Sequence, residues 1–535
     1  MMSRELRHLI GQLMVCGFPS PDVDAHVHQL IREYHVGNII LFSRNIESLE
    51  QTRHLTQSLQ QLAQETGQDN PLLICTDQEN GLVSRFSKDV PGFPGNMALG
   101  ATGDDKWAYR VGQMTGAFLA LAGINMDLAP VLDVNNNPLN PVIGVRSFGD
   151  NPKSVAQMGV AMIRGLEESK VIACGKHFPG HGDTHVDSHT DLPRISHHLD
   201  RMKAVELLPF EQAIHQGLSA IMTAHIVFEQ LDAEHPATLS PKVLQGLLRE
   251  TLGFTGVVTT DCLEMQAILG TVGVGQGAVM ALLAGADMIM VSHHLDLQIE
   301  AMDAIYDAVV KGQLPLSRLE EAYGRIERLK KALGESVHEP QDRLSLLQAK
   351  ALDLQKDVAQ HALTCLYDGS QSKTEPGVSR PFPKPRRVAV VFDTGAPQMI
   401  AAGPDAVQAS LLQSIEAGIL DSVEVRAFSI NEALGDVEEV LRYDWLIYLS
   451  RTLGPIQEDL SPLFCAHPYA VVWLLRTPYL FPMFKEMGAN RIYALYENTP
   501  WMIQAALGAL LGQSAGGSLP VQVKDYPRGY QGCAS

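Results

Sequence analysis

Two alternations of short β-branched runs with helix-length stretches, separated by a Pro- and Lys/Arg-rich segment, predict an α/β chain. The expected architecture is a (β/α)8-like TIM barrel followed by a smaller C-terminal α/β sandwich. The 535 residues agree with this, since one ordinary core does not absorb a chain of that length. The strand runs are apolar almost throughout, as expected for strands buried on both faces of a parallel sheet covered by helices.

The chain opens on MMSRELRHLIGQLMVCGF. Gln12 interrupts its apolar stretch and no small-x-small cleavage site follows, so it reads as an amphipathic first helix rather than a secretion signal. Seven strand runs follow: NIILF (38–42), PLLICTD (71–77), INMDLAPVLDV (124–134), VIACGKHF (171–178), SAIMTAHIVF (219–228), GVVTTD (256–261) and ADMIMVS (286–292). Helix-like stretches such as 48–66 and 104–123 lie between them. Seven such units fit a closed barrel better than an open sheet, and an eighth strand is not evident. Residues 316–334 read as a helix, and 341–368 as a long helix with a short strand. Residues 371–387, QSKTEPGVSRPFPKPRR, have no periodicity and read as a linker. Beyond it, strands are expected at 387–393, 422–429, 444–450, 469–475 and 491–497, with a last helix at 499–512. The expected domains are therefore a catalytic barrel over 1–338, a helix and linker over 339–386, and the sandwich over 387–535.

A formal charge of −19 argues against a broad nucleic-acid or anionic-membrane surface. The longest apolar region, GAVMALLAGADMIMVS, is too short and too interrupted to span a bilayer. Seven scattered cysteines without a Cys-x-x-Cys argue against a disulfide scaffold or structural zinc, and point to a reducing, cytoplasmic setting.

Polar residues gather where the barrel strands end: Asp77, Asp133, Lys176 with His177, His225, Asp261, and Ser292 with His293. In a parallel barrel those ends share one mouth, where catalysis is sited. Any one of them alone reads as a satisfied strand-end residue; six strands together do not. Asp261 suits a nucleophile or general base. Asp77 and Arg85, eight apart around a turn, suit either a structural salt bridge or a grip on sugar hydroxyls. Arg146, in GVRSFG, carries the same ambiguity.

The densest segment is KHFPGHGDTHVDSHTDLP (176–193), with four His and three Asp. One reading is a metal comb of His181, Asp183, His185, Asp187 and His189, although no known zinc spacing matches it. The other is a loop that delivers an acid/base. In an extended segment Asp187 and His189, at i and i+2, face the same side, and a carboxylate beside an imidazole raises its pKa and fixes its tautomer. Gly180 and Gly182 would let such a loop move.

KHFPGHGDTHVDSH resembles the signature of the β-N-acetylglucosaminidase branch of glycoside hydrolase family 3. TDQENGLVSRF, GVRSFGDNP, KHFPGHGDT and TTDCLEM occur here in that family's order. The resemblance implies a retaining exo-β-N-acetylglucosaminidase that needs no metal or cofactor. It implies Asp261 as nucleophile and His189 with Asp187 as acid/base, with Asp77, Arg85, Arg146, Lys176 and His177 binding the terminal N-acetylglucosamine. Its implied partner is a small carbohydrate, not nucleic acid or membrane. A phosphorylase using the same residues is the alternative, with a metal-dependent hydrolase behind it. Two positions depart from the commonest bacterial pattern: Asn80-Gly81 replaces Gly-Gly, and Asp261-Cys262 replaces an acidic pair.

Overall fold

The structure, a computed structural model, describes residues 2–86, 89–186, 191–333, 343–369, 380–392, 423–452 and 456–532. Eight parallel strands form its first sheet: β1 (Met14–Cys16), β2 (Asn38–Leu41), β3 (Leu73–Thr76), β4 (Met126–Asp127), β5 (Ile172–Phe178), β6 (Ala220–Thr223), β7 (Val257–Thr259) and β8 (Ile289–Val291). Neighbours in sequence are neighbours in space, β8 pairs with β1, and a parallel bridge from Thr259 to Met288 joins β7 to β8. The sheet is thus a closed barrel. Every residue of these strands is buried, as their apolar runs require.

The eighth strand is β1. The sequence reading placed Met14–Cys16 inside the first helix, but that helix ends at Leu13 and the strand starts at once. Three residues are too few to show a strand period, and Met-Val-Cys simply extends the helix's apolar run.

Helices cover the barrel for reasons visible locally. Leu49–Glu65 starts on Ser48, whose side chain accepts from the Gln51 amide, and buries Leu55, Leu59 and Leu62 along one face. At the floor, where β8 begins, buried Asp287 pairs with Arg249, Arg318 and Arg325 at 2.6–3.0 Å. Arg318 and Arg325 belong to the helix Leu316–Leu333, so this node fastens the last barrel helix.

A second sheet runs in the order β9 (Thr364–Asp368), β14 (Arg491–Ala494), β13 (Ala470–Leu474), β12 (Trp445–Ser450), β10 (Arg387–Phe392), β11 (Glu424–Ser429). All its pairings are parallel except β9 with β14. Its strands therefore lie on both sides of the Pro-rich segment. The helix Arg343–Ala362 bridges the two cores: Ala351, Leu354 and Val358 pack with the barrel, Ala359 and Ala362 with the second sheet. Polar contacts also cross the seam. Asn135 donates to the Tyr479 hydroxyl at 2.8 Å, the Gln522 amide donates to Asp150 at 2.9 Å, Arg528 pairs with Asp150, and the Gly95 amide donates to Glu497 at 2.6 Å.

Cys16, Cys75, Cys174, Cys262 and Cys465 are free, whereas Cys365 is disulfide-bonded. Among the described residues no helix is long and apolar enough to cross a membrane.

Candidate active site

A cavity of about 560 Å³ opens at the C-terminal ends of the barrel strands, a volume that suits a small ligand. Six of the eight site residues expected from sequence line it: Asp77, Arg85, Arg146, Lys176, His177 and Asp261. The other two, Asp187 and His189, lie outside the described residues.

Asp77 and Lys176 meet at 2.7 Å, so the cation paired with Asp77 is Lys176, where spacing leaves an Asp77–Arg85 bridge as one of two readings. Lys176 also lies 2.6 Å from Glu79. Glu79 in turn takes a two-pronged pair from Arg146, 2.8 Å from Nε and 2.7 Å from Nη2. Glu79 is the residue sequence reasoning missed, although it stands in the quoted segment TDQENG. Its importance comes from two loops and the strand β5 meeting, which no local spacing reveals. Burial alone would raise the Glu79 carboxyl, but Arg146 and Lys176 outweigh burial and hold it far below the usual range. Burial likewise opposes the charge on Lys176, and Asp77 with Glu79 outweighs it. The site is thus a chain of alternating charges held together by its own ion pairs.

The rest of TDQEN shapes the loop. Gln78 accepts from the Arg85 and Phe86 amides and donates to Asn80, closing the turn that carries Arg85. Asn80 sits in the left-handed region at φ 68°, and Gly81 at φ 58°.

His177 donates Nδ1–H to buried Asp133 at 2.7 Å, and Asp133 also accepts the amides of His177 and His181. The bond fixes the tautomer and leaves Nε2 for the cavity. Asp133 is therefore an orienting group, not part of the wall. His225 is likewise behind the wall: its Nε2 meets the Cys262 carbonyl at 3.0 Å and its Nδ1 meets Thr238 at 2.8 Å. It steadies the loop that bears Asp261, whose Oδ1 accepts from the Cys262 amide at 2.7 Å.

The described part of the His/Asp comb does not converge. His181 lies 3.0 Å from the Thr184 hydroxyl, Asp183 pairs with His197 at 2.7 Å, and His185 lies 3.2 Å from Asn137. Burial pulls His181 down to about 4. The first half of the loop is also pinned. Asn140 donates to the carbonyls of His181 and Gly182, and a Cβ on Gly182 would stand 1.6 Å from the Val134 carbonyl oxygen. Gly182 therefore permits close packing here, where the sequence suggested mobility.

Among the described residues, one group could hold a metal: Cys262, Glu264 and His293, with ligand atoms within 4.8 Å of one another. The group reads better as a tie between loops. Glu264 already accepts the amides of Ser292, His293 and His294. Burial pushes the Cys262 thiol up to about 12.

Residues 5–329 match the model of the glycosyl hydrolase family 3 N-terminal domain. Beta-hexosaminidase A of Pseudoalteromonas piscicida is 38% identical over 330 residues, which are 58% of this chain and 55% of that protein. A beta-hexosaminidase of Neisseria meningitidis serogroup C is 36% identical over 269 residues, 49% of this chain and 73% of that one. The solved structure of a glycoside hydrolase family 3 beta-N-acetylglucosaminidase from Paenibacillus sp. str. FPU-7 superposes with a TM-score of 0.86 at 35% identity, covering 97% of this chain and 99% of that one.

Proposed function

The chain belongs to glycosyl hydrolase family 3, and from that premise we propose that it is a retaining exo-β-N-acetylglucosaminidase. It releases terminal β-linked N-acetylglucosamine through a covalent glycosyl–Asp261 intermediate, with His189 and Asp187 as acid/base. The observation that carries this reading is the convergence of Asp261 with Asp77, Arg85, Arg146, Lys176 and His177 on one cavity at the barrel mouth.

In the first step Asp261 attacks the anomeric carbon while His189, as imidazolium, protonates the leaving oxygen. In the second, His189 takes a proton from water, which displaces Asp261 and restores the β configuration. A retaining glycosidase normally sets a second carboxyl about 5–5.5 Å from the nucleophile. A neutral histidine in its place avoids repulsion with the Asp261 charge, and Asp187 keeps the protonated form accessible near neutral pH. The paired charges of Asp77, Lys176, Glu79 and Arg146 support the binding of one sugar through its hydroxyls.

Product analysis on chitobiose and on an N-acetylglucosaminyl–anhydromuramyl substrate, each with and without phosphate, tests the reaction. Free N-acetylglucosamine in both conditions is expected. Sugar phosphate formed only when phosphate is present would make the chain a phosphorylase with the same residues.

Substrate selection gives a sharper check. A site that hydrogen-bonds a substrate group rejects analogues that leave its buried partners unpaired. We expect kcat/KM on aryl N-acetylglucosaminides to exceed that on aryl glucosides by about a hundredfold or more. Equal values would refute this branch of the family. Dialysis against EDTA should leave the rate unchanged, because the chemistry needs only proton transfer and a carboxylate. Loss of activity restored by zinc or manganese would assign the His/Asp comb to a metal.

A further inference from the structure

The loop after β3 is gripped from the second domain. Glu497 lies three residues beyond the end of β14 and is buried at the seam. Its Oε2 accepts the Gly95 amide at 2.6 Å and its Oε1 accepts the Thr499 hydroxyl at 2.8 Å. The approach is close enough to require glycine: a Cβ on Gly81 would stand 2.8 Å from Gly95 Cα and 2.9 Å from Glu497 Oε2. Gly81 is also tied to the segment just before Gly95, since its amide donates to the Phe93 carbonyl at 2.9 Å. On either side of the contact, Asn80 and Tyr496 are both in the left-handed region, a conformation that non-glycine residues keep only where surroundings hold it.

Two short routes lead from this contact to the sugar site. Gly81 is two residues from Glu79, the carboxylate shared by Arg146 and Lys176. Gly95 precedes Asn96, whose side chain donates to the Arg146 carbonyl at 2.7 Å. Glu497, Glu79 and Arg146 border the same small cavity.

We propose that Glu497 is a positioning residue through which the second domain sets the sugar-binding groups of the barrel. Its carboxyl fixes Gly95 and Gly81, and these fix Glu79 and the backbone of Arg146. This assigns the second domain a part in substrate affinity. It rests on the functional reading above for what the site binds, and on the seam contacts alone for the grip itself. Burial pushes the Glu497 carboxyl up to about 7, against the bonds from Gly95 and Thr499, so a neutral carboxamide is a close mimic of it.

The test uses the full chain with Glu497→Gln, Glu497→Asp and Glu497→Ala. Losing one buried hydrogen bond that acts on binding should raise KM on an aryl N-acetylglucosaminide about tenfold in the Ala and Asp variants, with kcat little changed. The Gln variant, which keeps an acceptor for Gly95, should stay within about twofold of wild type. Amide exchange of the unliganded chain gives a readout independent of activity. Peptides spanning 79–86 and 95–96 should exchange faster in Ala and Asp but not in Gln. A lower melting temperature with unchanged KM and unchanged exchange would make Glu497 merely structural and overturn the proposal. A Gln variant as damaged as Ala would also overturn it, because placement by an acceptor would not be the cause. Should Ala fail to fold, Asp carries the same comparison. If the wild type cleaved no N-acetylglucosaminide, the functional reading would fall, while the exchange data would still decide the grip.

Discussion

Asp261→Ala should lower hydrolysis by about 10⁴-fold or more while the fold survives, because removing the proposed nucleophile would leave only binding and electrostatic assistance. The size of the effect follows from where the carboxylate stands. Asp261 lies two residues beyond β7, on the cavity wall and only partly buried, so its loss opens no hole in the core. The loop that carries it is held independently. The Thr260 amide donates to the Met288 carbonyl, the Leu263 amide to Met290, and His225 holds the Cys262 carbonyl. The chain Asp77–Lys176–Glu79–Arg146 does not include Asp261, so sugar binding should outlast catalysis. A 5-fluoro-glycosyl inactivator applied to wild type should label the peptide containing Asp261, as read by mass spectrometry. A label on another carboxylate would remove Asp261 from its role.

The site was legible in the sequence where chemistry coincides with a strand end. Asp77, Lys176, His177 and Asp261 each close an apolar run, and a parallel barrel gathers such ends at one rim. Glu79 was not legible, because its weight comes from Arg146 on the loop after β4 and Lys176 on β5, 67 and 97 positions away in a chain that gives no sign of the meeting. Asp133 and His225 were noted as rim residues, but only the hydrogen bonds show that they orient others rather than face a ligand. Gly182 misled for a similar reason. Glycine in a polar segment suggests freedom, whereas here its missing Cβ admits the Val134 carbonyl. The barrel itself was nearly complete on paper. Only β1 hid, three residues long and fused to a helix of the same apolar character.

His189→Ala should divide substrates by leaving group. A sugar alkoxide needs its oxygen protonated as the bond breaks, and general acid help of that kind is worth about 10²–10⁴-fold. A dinitrophenolate leaves without it. The variant should therefore form the glycosyl–enzyme almost normally from a dinitrophenyl N-acetylglucosaminide and then stall, since the same histidine must activate water. Rapid-mixing kinetics should show a burst followed by slow turnover, and azide, a nucleophile that needs no base, should restore turnover. Asp187→Ala should give a milder form of the pattern. Without the neighbouring carboxylate the imidazole loses its proton more readily, so the acidic limb of the pH profile, where the base is lost by protonation, should move to lower pH. Equal losses on good and poor leaving groups, with neither burst nor azide rescue, would make His189 a binding or structural residue. The acid/base would then be sought among the described neighbours in the same loop. His181 is a poor choice there, because burial holds it down at about 4 and leaves it almost wholly deprotonated at neutral pH. The Asp183–His197 pair, at 2.7 Å and partly open to solvent, is the described carboxylate–imidazole pair of that loop and would be the next to mutate.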